Sequence, residues 1–333
     1  MREALYGPEG FYTAASSGGP AAHFRTSAHV STVFAGALTR LVARVDEALG
    51  QPNPFELVDV GAGRGELLLA LLAELPRPLV ARVRATAVDV GPPPGGLPPE
   101  VAWTDRLPPK TTGLLLATEW LDNVPVDVVC RDGSGVLRYM LVDASGTERV
   151  GPRVEPGDAA WLARWWPLDA ASEGARAEVG AERDAAWAAA VATVVRGLAV
   201  AVDYGHLRGG RPVFGTLTGY RSGRRVPPVP DGSCDLTAHV ALDAVAHAGG
   251  TAADVPPRLL SQRTALHALG VDGRRPPLSL AHNDPGAYVR ALAGASVSAE
   301  LTDPEGLGAH TWLLQPVGLD LRTLGMTGGH TAR

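Results

Sequence analysis

Lysine is nearly absent from this chain. Of 30 basic residues among 333, only Lys110 is not arginine, and 35 acidic residues leave a net charge of −5. Nucleic-acid binding normally demands a basic face, so that class of partner is not expected. Cysteine is equally scarce. Cys130 and Cys234 sit in no CxxC or Cys/His grouping, which argues against a disulfide framework and a zinc site. The opening residues, "MREALYGPEG", contain no apolar core of a signal peptide, so a cytoplasmic protein is expected. Long hydrophobic runs are missing too. The nearest approach, "AAWAAAVATVVRGLAVAV" at 185–202, is interrupted by Arg196-Gly197. It reads as a helix followed by a buried strand rather than as a membrane span.

What remains is an ordinary globular composition, 45% hydrophobic and 20% charged. The length suits one elaborated domain or two modest ones. The excess of arginine, alanine, glycine and proline reads as coding bias rather than function. Apolar residues at helical spacing (Val33, Ala37, Leu41, Val45, Leu49) predict a helix over 28–49. Strand 55–60, helix 64–75, strand 83–89 and strands at 100–103 and 113–118 follow. Such alternation implies a mostly parallel, doubly wound α/β sheet. Residues 126–180 break the pattern. They read as an insertion with a hairpin turning at Asp132-Gly133. Beyond it the sequence predicts a loop-rich stretch at 205–235, helices at 236–248, 258–269 and 284–293, and a last strand at 311–317.

The chemistry concentrates in "LVDVGAGRGELLLALL", 57–72. A strand, a glycine corner and a helix N-terminus form a general cofactor-binding device. Gly61, Ala62, Gly63 and Gly65 make the corner, but Glu66 stands where a dinucleotide fingerprint wants its third glycine. Asp59 ends the strand before the turn, where it would repel a pyrophosphate. S-adenosylmethionine instead carries an ammonium and a sulfonium, which a carboxylate attracts. Asp89 ends the next strand and could accept ribose hydroxyls, a role shared with nicotinamide sites.

These motifs carry a resemblance. The chain resembles the MidA family of class I methyltransferases, whose mitochondrial members assist respiratory complex I assembly. The likeness spans "FYTAASSGGPAAHFRTSAHVSTVFAGAL" (11–38), the glycine corner and "LLLATEWLDNVPVDVV" (114–129). It continues through "VDYGH" (202–206), "GTLTGYRSGRRVPPVPDGSCDLTAHV" (215–240) and "SQRTALHALGV" (261–271). His23, Ala28-His29, Thr118 and Asp89 depart from the family pattern. The changes at 23 and 28–29 lie where substrate would enter and leave the target open. The resemblance implies a Rossmann-like fold with an N-terminal lid and helix (1–50) and an S-adenosylmethionine-binding half (51–125). The inserted lobe (126–180) then precedes the second half of the core (181–333), with a substrate-side loop at 205–240. Phe24, Thr26 and Ser27 would belong to the lid over the cofactor.

Glu119 and Asp122 follow the fourth core strand, at the sheet edge where such folds bind ligands. As a pair they could hold a guanidinium, with Glu119 also close to the cofactor. Alternatively, Asp122 caps the following turn and Glu119 pairs with an arginine. Asp203, Tyr204 and His206 follow the fifth strand, and His206 could serve as a base with a near-neutral pKa. Asp235 reads as the N-cap of the next helix, with Thr237 in its first turn and His239 on its surface. Arg221, Arg224 and Arg225 read as a solvated loop. The expected function is methyl transfer from S-adenosylmethionine to a protein, with arginine the target the resemblance implies. A small-molecule O- or N-methyltransferase and a non-catalytic assembly factor are the alternatives. Nothing in the sequence separates a monomer from a homodimer.

Overall fold

Phe55–Val60 forms β1, and five of its six residues are buried. A strand covered on both faces needs such a run. The computed structural model describes residues 1–13, 32–168, 173–253, 255–326, 328 and 330–331. β1 runs parallel to β2 (Val83–Val88) on one side and to β4 (Thr111–Thr118) on the other. β3 (Val101–Thr104) continues the parallel sheet beyond β2, and β9 (Val194–Asp203) continues it beyond β4. There the direction reverses. β16 (Thr311–Val317) pairs antiparallel with β9, then β15 (Arg258–Ser261) with β16 and β17 (His330–Thr331) with β15. The eight-stranded order is β17-β15-β16-β9-β4-β1-β2-β3. This is the mostly parallel α/β sheet that the sequence pattern predicts.

Helices cover both faces. α2 (Thr32–Ala48), α3 (Glu66–Glu74) and α8 (Gln262–Ala268) bury Phe34, Leu38, Leu41, Leu68, Leu71 and Leu266 in one core. α6 (Ala181–Ala192) and α7 (Leu242–Ala253) bury Trp187, Val191, Leu242 and Val245 against the opposite face. Residues 185–202 are therefore the end of α6 and most of β9. No helix among the described residues is long and apolar enough to cross a membrane. Short α1 (Arg2–Tyr6) buries Ala4 and Leu5 and α4 (Arg77–Val80) buries Leu79, while α9 (Leu278–Asn283) and α10 (Pro285–Leu301) are joined at Asp284.

The region after β4 makes a small antiparallel sheet ordered β7-β6-β5-β8. Its strands are β5 (Asp127–Arg131), β6 (Leu137–Val142), β7 (Glu148–Arg153) and β8 (Arg176–Val179). With α5 (Pro156–Trp165) it has its own core of Val129, Leu162, Trp166 and Ala177. The β5–β6 hairpin turns at Asp132, whose carboxylate accepts the N–H groups of Ser134 and Val136 at 2.9 Å each. Glu178 in β8 accepts the Leu217 N–H at 3.0 Å and so ties the lobe to the loop beyond β9.

Three sequence expectations need correction. The segment at 236–248 is not one helix: β13 (Asp235–Thr237) and β14 (Val240–Ala241) come first, and α7 begins at Leu242. β13 is drawn into a strand by pairing with β11 (Thr218–Arg221), which also pairs with β12 (Arg224–Val226). The predicted helix at 258–269 is β15 followed by α8, which starts behind Ser261, a cap accepting the Thr264 N–H. The helix predicted at 284–293 runs on to Leu301.

Candidate active site

The glycine corner is pinned to the end of β2. Gly61 and Ala62 donate their N–H groups to the Val88 carbonyl at 2.9 and 3.2 Å. Gly61, Gly63 and Gly65 all take positive φ, a region that residues with a Cβ enter only under strain. A Cβ on Gly61 would stand 2.8 Å from Trp120, whereas one on Gly63 would meet no atom within 4 Å. The corner is thus closed on one side by the residue after Glu119 and open at Gly63.

Two carboxylates flank this opening. Asp59 is 2% exposed, and its Oδ1 has no hydrogen-bond partner among the described residues. Burial, and then the charges of Asp89 and Glu66, raise its pKa to about 7. Asp89 accepts the Gly63 N–H at 2.8 Å on one oxygen and the Gly91 N–H at 2.9 Å on the other. It therefore clamps the corner, with one lone pair on each oxygen left for a ligand hydroxyl. Burial raises its pKa as well. A buried acceptor without a partner beside an open glycine fits a cofactor with a cationic end. Thr26 and Ser27, expected in the lid, lie outside the described residues, as does Phe24.

Glu119 and Asp122 follow β4, but the structure gives them different surroundings. Glu119 has a φ of +50° and is partly exposed, and its N–H donates to the Val202 carbonyl at 2.7 Å. Asp122 is 4% exposed. One of its oxygens accepts the hydroxyls of Tyr204 and of Thr237, the latter at 2.6 Å. Asp203 accepts the N–H groups of Leu121 and Asp122 at 3.0 and 3.2 Å, so the end of β9 shapes the loop after β4. Burial raises the pKa of both aspartates.

β10 (Gly205–His206) brings His206 under Trp166, with ring centroids 4.5 Å apart. Arg211 donates to its Nδ1 at 2.6 Å, which places the ring proton on Nε2. Burial, followed by the Arg211 charge, lowers its pKa to about 3. This corrects the near-neutral value expected for a base. Asp235 is corrected too: it is in β13, not at a helix cap, and accepts from Asn123 Nδ2 at 3.1 Å. Burial and Asp122 lift its pKa to about 7, against a hydrogen bond from Tyr12. Thr237 shares that strand, and His239 lies in the turn leading to β14, not on a helix. Arg221, Arg224 and Arg225 are exposed as expected but lie on the paired strands β11 and β12 rather than in a loop, and Arg225 donates to Thr218 at 2.9 Å.

Sequence reasoning missed two residues. Arg183, 1% exposed, donates to the carbonyls of Val124, Ala238 and His239 at 3.0 Å each and of Asp122 at 2.6 Å. His310 precedes β16, and the antiparallel run of that strand delivers it to the carboxyl edge of β9. In the sequence Arg183 sits in an ordinary amphipathic helix and His310 in a loop. Neither carries a local signal.

A parallel sheet with an acid–GxGxG corner and a second-strand acid defines a class I methyltransferase-type architecture. A family model described as "Putative S-adenosyl-L-methionine-dependent methyltransferase" matches residues 37–257, and the chain belongs to that family. It is thus an S-adenosylmethionine-dependent methyltransferase. The chain is similar to a COG1565 superfamily member from Burkholderia thailandensis, solved with S-adenosyl-homocysteine bound. They share 26% identity and a TM-score of 0.78, over 99% of this chain and 89% of that one. A native structure of a COG1565 superfamily protein from the same organism gives 26% identity and a TM-score of 0.79 over the same shares. No curated protein matches.

Proposed function

We propose that the enzyme methylates a protein on the guanidinium of an arginine side chain. The observation that carries this reading is the position of Glu119. It is partly exposed at the end of β4, and the next residue, Trp120, packs on Gly61 of the corner. A carboxylate there can accept two guanidinium N–H groups and aim the third nitrogen. S-adenosylmethionine, when bound, supplies a methyl group already activated on a sulfonium. The chain's own work is to position the acceptor and offset charge.

In this reading Gly61, Ala62, Gly63 and Gly65 present the corner's backbone to the cofactor, with Thr26 and Ser27 assigned to the lid by resemblance. Asp59 faces its cationic end and Asp89 its ribose hydroxyls. Glu119 grips the acceptor. Asp122 acts on the acceptor side through the Tyr204 hydroxyl it binds. His206, neutral and held by Arg211, orders the loop rather than moving a proton.

The test incubates purified enzyme and methyl-labelled S-adenosylmethionine with a lysate from cells lacking the enzyme. Label recovered as methylarginine in hydrolysed protein is the expected result. Label confined to small molecules would overturn the protein reading in favour of a metabolite acceptor.

A further inference from the structure

The acceptor side of the sheet edge carries an aromatic and imidazole cluster of which the mechanism above uses only the Tyr204 hydroxyl. β4, β9 and β16 are neighbours, with Thr118 opposite Val202 and Asp203 opposite Thr311. Glu119, Tyr204 and His310 each lie one residue beyond these pairs, on adjacent strands about 4.8 Å apart. Tyr204 is partly exposed. Its ring centroid lies 5.2 Å from that of His239 at 74°, and 5.5 Å from that of His310 at 47°. Three π-systems are therefore gathered at the end of β9, one residue beyond Asp203, which is level with Glu119 on the neighbouring strand.

We propose that Tyr204, His239 and His310 form the acceptor subsite, a π-walled seat for a planar guanidinium beside Glu119. This deepens the arginine reading and rests on it.

The electrostatics suit a cation. Tyr204 donates its hydroxyl to Asp122, so a buried carboxylate stands behind the ring and strengthens its attraction for positive charge. Burial, and then His239, lowers the His310 pKa to about 4. Burial lowers the pKa of His239 too, although the residue as a whole is exposed. At neutral pH both imidazoles are uncharged and do not repel the ligand. His310 Nδ1 is buried without a hydrogen-bond partner among the described residues, a position that a ligand N–H can complete. Of the two cations that act on His239, Arg183 spends its donors on four backbone carbonyls behind the loop and Arg225 donates to the Thr218 hydroxyl.

The same features select among cations. Guanidinium is flat, delocalised and weakly hydrated, so it stacks; an ammonium is compact and keeps its water. Lysine should therefore bind less well than arginine, and citrulline, a neutral isostere, least well.

The test titrates acetyl-Gly-Arg-Gly-amide, and its citrulline and lysine counterparts, into the full chain saturated with S-adenosylhomocysteine, using calorimetry. Wild type should bind the arginine peptide at least about tenfold more tightly than the citrulline peptide, the gain of a desolvated cation on aromatic faces. His239→Leu and His310→Leu should each weaken the arginine peptide by about fivefold or more, with S-adenosylhomocysteine affinity unchanged. His239 is exposed, so its variant should fold even where His310→Leu does not. Equal binding of arginine and citrulline, or arginine binding untouched in His239→Leu, would overturn the subsite. Methylarginine formed by a His239→Leu enzyme with wild-type KM would sink the subsite and leave the arginine reading intact. Absence of methylarginine with wild type would sink the arginine reading itself.

Discussion

Asp59 is the residue whose surroundings make the clearest solution prediction. Its folded pKa, about 7, lies above the ordinary carboxyl value, chiefly because it is buried. The sign follows from linkage. A raised acid favours the fold most at low pH, and that contribution is lost as pH rises toward about 7. A cationic ligand end reverses the preference, because it attracts the ionised form. S-adenosylhomocysteine keeps the methionine ammonium. Its Kd should therefore fall by about tenfold per pH unit between about pH 5 and pH 7, then level off. In Asp59→Asn the profile should be flat and the plateau affinity weaker. Calorimetry across pH checks this, and equal slopes in the two proteins would remove Asp59 from the cofactor's cationic end. The placement of Asp59 and Asp89 was legible because it follows from adjacency to a glycine corner. Arg183 and His310 were not, since their roles arise only where separate segments meet.

At the scale of elements, legibility followed how local the cause was. β16 was read with its observed limits, 311–317, from an apolar run bounded by breakers. β13 was misread because Asp235, Leu236 and Thr237 resemble a helix cap locally, while pairing with β11 some 17 residues earlier makes them a strand. β15 is four residues long and opens directly into α8, so the helical pattern absorbed it. In the inserted lobe the hairpin at Asp132 was visible, but β7, "ERVGPR", carries charge, glycine and proline and gives no strand signal.

Arg183 is what joins elements near the site. From α6 it holds the carbonyls of the loop after β4 and of the turn between β13 and β14. Met fills similar volume but leaves those carbonyls and the buried Asp122 and Asp203 without their cation. Arg183→Met should cost about 3–5 kcal/mol of stability in urea unfolding, as expected when one partner of a buried charged network is removed. A loss under about 1 kcal/mol would show that water replaces the guanidinium freely.

At the scale of the whole molecule, five parallel strands bring the ends of β1, β2, β4 and β9 to one edge, and the reversal at β16 adds His310 to it. The part of that edge proposed to hold the cofactor, around Gly61–Gly65, Asp59 and Asp89, is brought together largely by adjacency in the sequence. The part proposed to hold the acceptor was only partly readable. Glu119 and Tyr204 lie in a recognisable stretch, but the seat around them is assembled from β9, the β13–β14 turn and the start of β16. The division of labour between these two sides is the account's central claim, and Glu119→Gln tests it. The amide is isosteric, and Glu119 is not among the groups that shift the pKa of Asp59 or Asp89. The measurement is labelled methyl transfer by wild type and Glu119→Gln, with calorimetric S-adenosylhomocysteine binding on the same samples. Turnover should fall by about 10²-fold or more, because acceptor orientation and charge compensation are lost together, while the Kd stays within about twofold. Wild-type turnover in Glu119→Gln, or turnover and cofactor affinity collapsing together, would contradict the account.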